Sequence, residues 1–181
     1  FEHLSRNFQG MLFDFSKHLV TPETIKLLLG LARETQVEEM RRQMVSGEKI
    51  NNTEGRSVLH IACRAPASET ILVDGENVVP FVHQVLAQME TFTKAVRSGE
   101  HKGHTGKAIT DIVNIGIGGS DLGPRYVVEA LQDYCSGLRV HFVSNLDEQA
   151  VFESLNPETT LFIVASKTFT TEETMLNAEG A

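Results

Sequence analysis

Apolar positions crowd the stretch after Thr21-Pro22, where Ile25, Leu27, Leu28, Leu29 and Leu31 follow one another closely. Thr21 reads as a helix cap and Pro22 as a first helical position. This predicts a strongly apolar helix ending near Thr35. A second helix is expected from Val37 to Val45, with Met40 and Met44 turned inward as core filler. A third, longer one runs from about Val79 to Val96. There Phe81, Val82, Val85, Leu86, Met89, Phe92 and Val96 recur at the helical spacing of a face packed on a sheet. Between these, Ser57–Arg64 fits a short helix or an extended segment equally well. Asp74-Gly75, between Ile71-Leu72-Val73 and Val78-Val79, signals a hairpin-type turn.

Past the polar, glycine-rich loop Ser98–Gly106 the period changes to strand–helix alternation. Strands are expected near Asp111–Ile117, Arg139–Ser144 and Thr160–Ser166, and helices at Pro124–Tyr134, Asp147–Leu155 and from Thr171 onward. Such alternation implies a parallel sheet with right-handed crossovers. The expected fold class is therefore α/β, a doubly wound parallel sheet preceded by a helical N-terminal section. Residues 1–106 form that section and pack on the sheet; residues 107–181 begin the α/β domain. Ligands of these sheets sit beyond the carboxyl ends of the strands. No internal repeat and no low-complexity segment interrupts the pattern.

Two loops at such strand ends look suited to an anion. The first, Asn114-Ile-Gly-Ile-Gly-Gly-Ser-Asp-Leu-Gly-Pro124, would bring the Gly119 backbone and the Ser120 hydroxyl to a phosphate. The second, Ser166-Lys-Thr-Phe-Thr-Thr-Glu-Glu173, offers the hydroxyls of Ser166, Thr168, Thr170 and Thr171 and the cation of Lys167. There Thr170-x-x-Glu173 reads as a capping box that sets a helix N-terminus at the loop. The plainer alternatives are a tight strand-to-helix turn with the helix starting at Gly123-Pro124, and threonines that only cap a helix. A dinucleotide fingerprint fails, because Asp121 stands where its last glycine belongs and the second strand ends in Ser144-Asn145 rather than an acid. A Walker-type loop fails as well: Ala108 follows Gly106-Lys107, and His101 occupies the place of the first glycine.

The 181 residues suit one α/β domain with a real core, and 41% hydrophobic content is ordinary for a globular protein. A formal charge of −8 argues against a nucleic-acid surface, though not against a small anion held by local donors. No apolar stretch approaches the roughly 20 residues of a membrane span. No signal peptide is visible, and the chain opens at Phe1 rather than Met, so a preceding piece is expected. Cys63 and Cys135 read as small buried hydrophobes in a reducing compartment, and neither belongs to a metal-binding cluster. His101-Lys-Gly-His104 lacks neighbouring carboxylates and reads as a solvated loop, so no metal is expected.

Together with Ile50-Asn-Asn-Thr-Glu-Gly-Arg-Ser-Val-Leu-His60, Ile71-Leu-Val-Asp-Gly75 and Lys102–Asp111, the two loops resemble segments of the glucose-6-phosphate isomerases, in the same order. The likeness is dense from about Glu48 onward. Ala62-Cys63-Arg64, where Ala-Leu-Arg is usual, and Gly180, where a threonine is common, depart from the pattern. The resemblance implies a sugar-isomerase (SIS-like) α/β domain in a cytoplasmic, cofactor-independent enzyme of glycolysis and gluconeogenesis. It would interconvert glucose 6-phosphate and fructose 6-phosphate through a cis-enediol, as a homodimer with a shared active site. It further implies that Ser166, Lys167, Thr168 and Thr171 hold the substrate phosphate, and that Gly119 and Ser120 line the same pocket. Glu173 would orient a ring-opening histidine of the neighbouring subunit. His60, Arg56 and Lys107 lie in matching segments without an assigned chemistry. The family's base and ring-opening residues lie beyond position 181, so the chain is expected to be an amino-terminal portion, inactive alone. The alternative from another class is a non-catalytic sugar-phosphate-binding sensor domain.

Overall fold

The computed structural model describes residues 4–135 and 137–181. The chain divides into two compact units, Phe1–Leu86 and Ala87–Ala181. The division falls inside a single long helix, Val79–Ser98.

The first unit opens with an antiparallel hairpin, β1 (Ser5–Phe8) and β2 (Met11–Asp14), followed by helices α1 (Pro22–Glu34) and α2 (Val37–Val45). Thr21 caps α1 as expected, its side chain accepting the Thr24 N–H, with Pro22 in the first turn. The apolar crowding of α1 is not buried: Leu27, Leu28, Leu29 and Leu31 are all more than half exposed. Met40 is also exposed, against the expectation of an inward face, whereas Met44 is half-buried. Helical periodicity alone does not say whether a neighbour arrives to cover the stripe. Ser57–Arg64 resolves as irregular chain closing in one 3-10 turn, Ala62–Arg64.

A second hairpin follows, β3 (Leu72–Val73) and β4 (Glu76–Asn77). Asp74 and Gly75, with φ of +50° and +86°, make the two-residue turn that positive φ at both central positions allows. Its small core is Ala62, Ile71 and Val79, with Leu59 and Val82 packed against it. Val79 begins α3 (Val79–Ser98). The apolar stripe of α3 is not covered along its length: Val96 is buried, but Phe81, Leu86, Met89 and Phe92 are exposed.

The second unit is built on a three-stranded parallel sheet, β5 (Asp111–Ile115), β6 (Arg139–Val143) and β7 (Thr160–Val164), in the order β6-β5-β7. The sequence order of the strands therefore differs from their spatial order, and β5 lies between its two partners. Ile115 is level with Val143 on one side and Val164 on the other, so all three strands end together. Helices α4 (Gly119–Ala130), α5 (Ala150–Glu153) and α6 (Glu172–Glu179) connect or follow them. Val113, Ile115 and Val143 are fully buried and pack on Val151, Leu155 and the edge-to-face pair Phe152–Phe162. Each such apolar side chain removed from water contributes roughly 1.5–3 kcal/mol.

At the amino end of the sheet the buried Asp111 accepts two hydrogen bonds from Arg139, at 2.8 and 2.7 Å, and one contact from His141 at 2.9 Å. Cys63 and Cys135 are exposed and unpaired rather than buried. Among the described residues no helix is long and apolar enough to cross a membrane.

Candidate functional site

The carboxyl ends of β5 and β7 release their loops side by side. The Ala165 N–H still donates to the Ile115 carbonyl at 2.8 Å, and Gly116 N–H to Val143 at 3.1 Å, so both loops depart from the same anchored level. Gly116 is fixed by crowding: a Cβ there would lie 2.8 Å from the Ser120 carbonyl oxygen and 3.0 Å from that of Ala165. Gly118, at φ +59° and ψ −125°, then turns the chain in a conformation that favours glycine.

Helix α4 starts at Gly119, five residues before the expected start at Pro124, so Ser120 lies in its first turn. Pro124 falls inside the helix and has no N–H for the Ser120 carbonyl four residues back. The Asn114 side chain, from the end of β5, donates to that carbonyl at 3.0 Å instead. Asp121 is buried and paired with Arg125 one turn on, at 3.1 Å. The guanidinium of Arg125 also stacks over Phe142, 5.1 Å from the ring centroid. Its charge is stabilised chiefly by the Asp121 hydrogen bond. Asp121 is thus committed to α4.

The second loop differs from the expected capping box. Thr171 is the N-cap of α6, and its side chain caps nothing. The Thr170 hydroxyl is paired with that of Thr168 at 2.7 Å. Ser166 Oγ accepts the Phe169 N–H at 3.0 Å, a local turn that brings Phe169 to φ +54°. The first turn of α6 therefore presents its backbone N–H groups without a Thr171 side-chain cap, at the positive end of the helix. The buried Asn177 holds α6 in place, accepting from Gln149 at 3.0 Å and donating to the Asn145 carbonyl at 3.4 Å.

Between the loops lies a cavity of about 200 Å³, lined by Ile117, Ser120, Ala165, Ser166, Lys167, Thr168, Thr171 and Thr174. Five of the eight bear a hydroxyl and one is a cation, while none is a carboxylate or an imidazole. Its volume is below the roughly 300–1,000 Å³ of pockets that enclose a whole drug-sized ligand. Its size and hydroxyl-rich lining fit a small anion. A larger cavity of about 410 Å³ beside α1 and α2 has no comparable convergence of donors.

Of the residues singled out from sequence, Ser120, Ser166, Lys167, Thr168 and Thr171 meet at the cavity. Gly119 is next to Ser120 at the start of α4 but is not among the lining residues. Glu173 is exposed in the first turn of α6, outside the lining. Thr174 was missed by sequence reasoning, although its spacing of three from Thr171 places the two on one helix face. Among the described residues no group of three or more His, Cys, Asp or Glu side chains is placed to hold a metal.

The model of the family described as phosphoglucose isomerase matches residues 14–181. The chain belongs to the phosphoglucose isomerase family. A crystal structure of a glucose-6-phosphate isomerase from Chlamydia trachomatis D/UW-3/Cx is similar over 98% of this chain, with a TM-score of 0.75 and 27% sequence identity. The chain spans 35% of the length of that protein. Its mixed α/β architecture, with a parallel sheet and flanking helices, is consistent with the sugar-isomerase fold of this phosphoglucose isomerase relative.

Proposed function

We propose that this chain supplies the phosphate grip of a glucose-6-phosphate isomerase, a cytoplasmic, cofactor-independent homodimer that interconverts glucose 6-phosphate and fructose 6-phosphate. The observation that carries this is the donor-rich cavity between the β5 and β7 loops, in a member of the phosphoglucose isomerase family. Ser120, Ser166, Thr168 and Thr171 donate hydroxyl hydrogen bonds to the phosphate, Lys167 balances its charge, and the α6 N-terminus adds backbone N–H groups. Gly119 leaves the approach beside Ser120 unobstructed by a side chain. The sugar-isomerase domain is taken to begin near residue 107, after the helical section.

The phosphate is remote from the atoms that react. Binding energy gathered there positions C1 and C2 for transfer of a proton through a cis-enediol. Proton transfer needs a titratable group within hydrogen-bond reach, and the cavity lining contains no carboxylate or imidazole. The base and the ring-opening groups therefore come from outside this lining. Glu173, exposed on the same turn as Thr174, would be the group that orients a histidine of the neighbouring subunit.

The test is Ser166→Ala combined with Thr171→Ala in the full-length protein. It removes two donors to a charged group, each worth about 1.5–3 kcal/mol. The inhibition constant of a sugar-phosphate analogue rises at least ~tenfold, and wild-type activity survives exhaustive chelation and desalting. An inhibition constant within twofold of wild type, or activity lost to chelation and restored by a divalent ion, would refute the proposal.

A further inference from the structure

Thr174 is the buried member of the cavity lining. Its residue is 1% exposed, and its Oγ1 is the one buried side-chain polar atom among the described residues that has no hydrogen-bond partner. A buried hydroxyl left without a partner is costly, and folded proteins rarely keep one without a reason. The residue stands three positions after the N-cap Thr171, whose own side chain caps nothing. Thr174 thus lines a cavity whose other polar lining consists of Ser120, Ser166, Lys167, Thr168 and Thr171.

Resting on the phosphate reading above, we infer that Thr174 turns its hydroxyl into the cavity and becomes a direct ligand of the bound phosphate oxyanion. The other hydroxyls are partly or wholly exposed and can exchange the anion for water. Thr174 has no such alternative, so its hydrogen bond is completed by the ligand. Phosphate relieves the unsatisfied hydroxyl. This predicts opposite effects of one substitution on stability and on binding.

Valine matches threonine in shape and lacks the hydroxyl. In the full-length protein, Thr174→Val leaves the ligand-free melting temperature equal to or above that of wild type, because an orphaned polar atom has been replaced by a methyl group. The same variant binds inorganic phosphate at least ~tenfold more weakly by calorimetry, as expected for a lost hydrogen bond to a charged group. Binding of glucose 6-phosphate weakens by a similar factor, and Thr174→Ser, which restores the hydroxyl, recovers both affinities to within threefold. Three results would overturn the inference alone: wild-type phosphate affinity in Thr174→Val, weakened glucose 6-phosphate binding with unchanged inorganic phosphate binding, or a serine variant as weak as valine. If valine does not fold, serine compared with alanine gives the same contrast. A wild-type protein that binds neither anion overturns the phosphate reading and this inference with it.

Discussion

Alanine at position 116 probes whether the two loops depend on a missing side chain for their spacing. Its Cβ would approach the Ser120 carbonyl oxygen to 2.8 Å, Ser120 Cβ to 2.9 Å and the Ala165 carbonyl oxygen to 3.0 Å. Non-bonded carbon contacts rest near 3.5–4.0 Å, so the overlap is several tenths of an ångström on both sides. Two of the three atoms are backbone and cannot rotate away. The first turn of α4 and the end of β7 must then move apart, carrying Ser120 and Ser166 with them. Overpacking of this kind costs about 1–3 kcal/mol. Gly123→Ala is the control, since a Cβ there meets nothing within 4 Å and the position is helical. Alanine favours a helix over glycine by about 1 kcal/mol, so the control is neutral or stabilising. The assay is urea unfolding of the full-length variants, paired with phosphate titration by calorimetry. Gly116→Ala loses about 1–3 kcal/mol and binds phosphate several-fold more weakly, while Gly123→Ala loses no stability. Wild-type stability and affinity in Gly116→Ala would show that the close approach does not set the cavity.

The Arg139 hydrogen bonds, opposed by burial and helped by His141 and Thr110, hold the Asp111 carboxyl well below the usual carboxylate range. A folded value below the unfolded one means stability that is present at neutral pH and lost as the pH falls below about 4. Asp111→Asn should therefore cost about 1–3 kcal/mol at pH 7, with the difference from wild type shrinking under acid; a difference independent of pH contradicts this. Asn114→Ala should destabilise by about 1–3 kcal/mol, because it strands the Ser120 carbonyl that Pro124 cannot serve. Pro124→Ala restores a helical N–H to that carbonyl, so strict additivity in the double-mutant cycle would sink the explanation. Residues 1–181 alone should neither isomerise sugar phosphate in a coupled assay nor remain monodisperse in light scattering, given the cavity lining and the exposed leucines of α1. A monodisperse monomer with turnover would show otherwise.

The strands and their loops were legible because their signals are local. Apolar runs at Ile112-Val113 and Leu161–Ala165 end in glycines and hydroxyls, and the structure puts strand ends and loops there. The start of α4 was not legible. Pro124 looks like a first helical residue, yet it lies inside the helix, where Asn114, on another element, supplies a hydrogen bond to the carbonyl that Pro124 cannot serve. The capping box at Thr170 failed because α6 begins one residue later, with Thr171 as its N-cap, while the Thr170 hydroxyl pairs with that of Thr168. The buried state of Thr174 depends on where α6 meets the sheet, which no spacing encodes. Met40 and much of the α3 stripe are exposed where an inward face was expected, because periodicity marks an apolar face without supplying what covers it.

A crystal structure of the full-length protein with glucose 6-phosphate tests the phosphate grip most directly. The phosphorus should lie between the β5 and β7 loops, its oxygens roughly 2.5–3.0 Å from the hydroxyls of Ser120, Ser166, Thr168, Thr171 and Thr174. Phosphate held elsewhere at saturating ligand, with the cavity filled only by water, would contradict it.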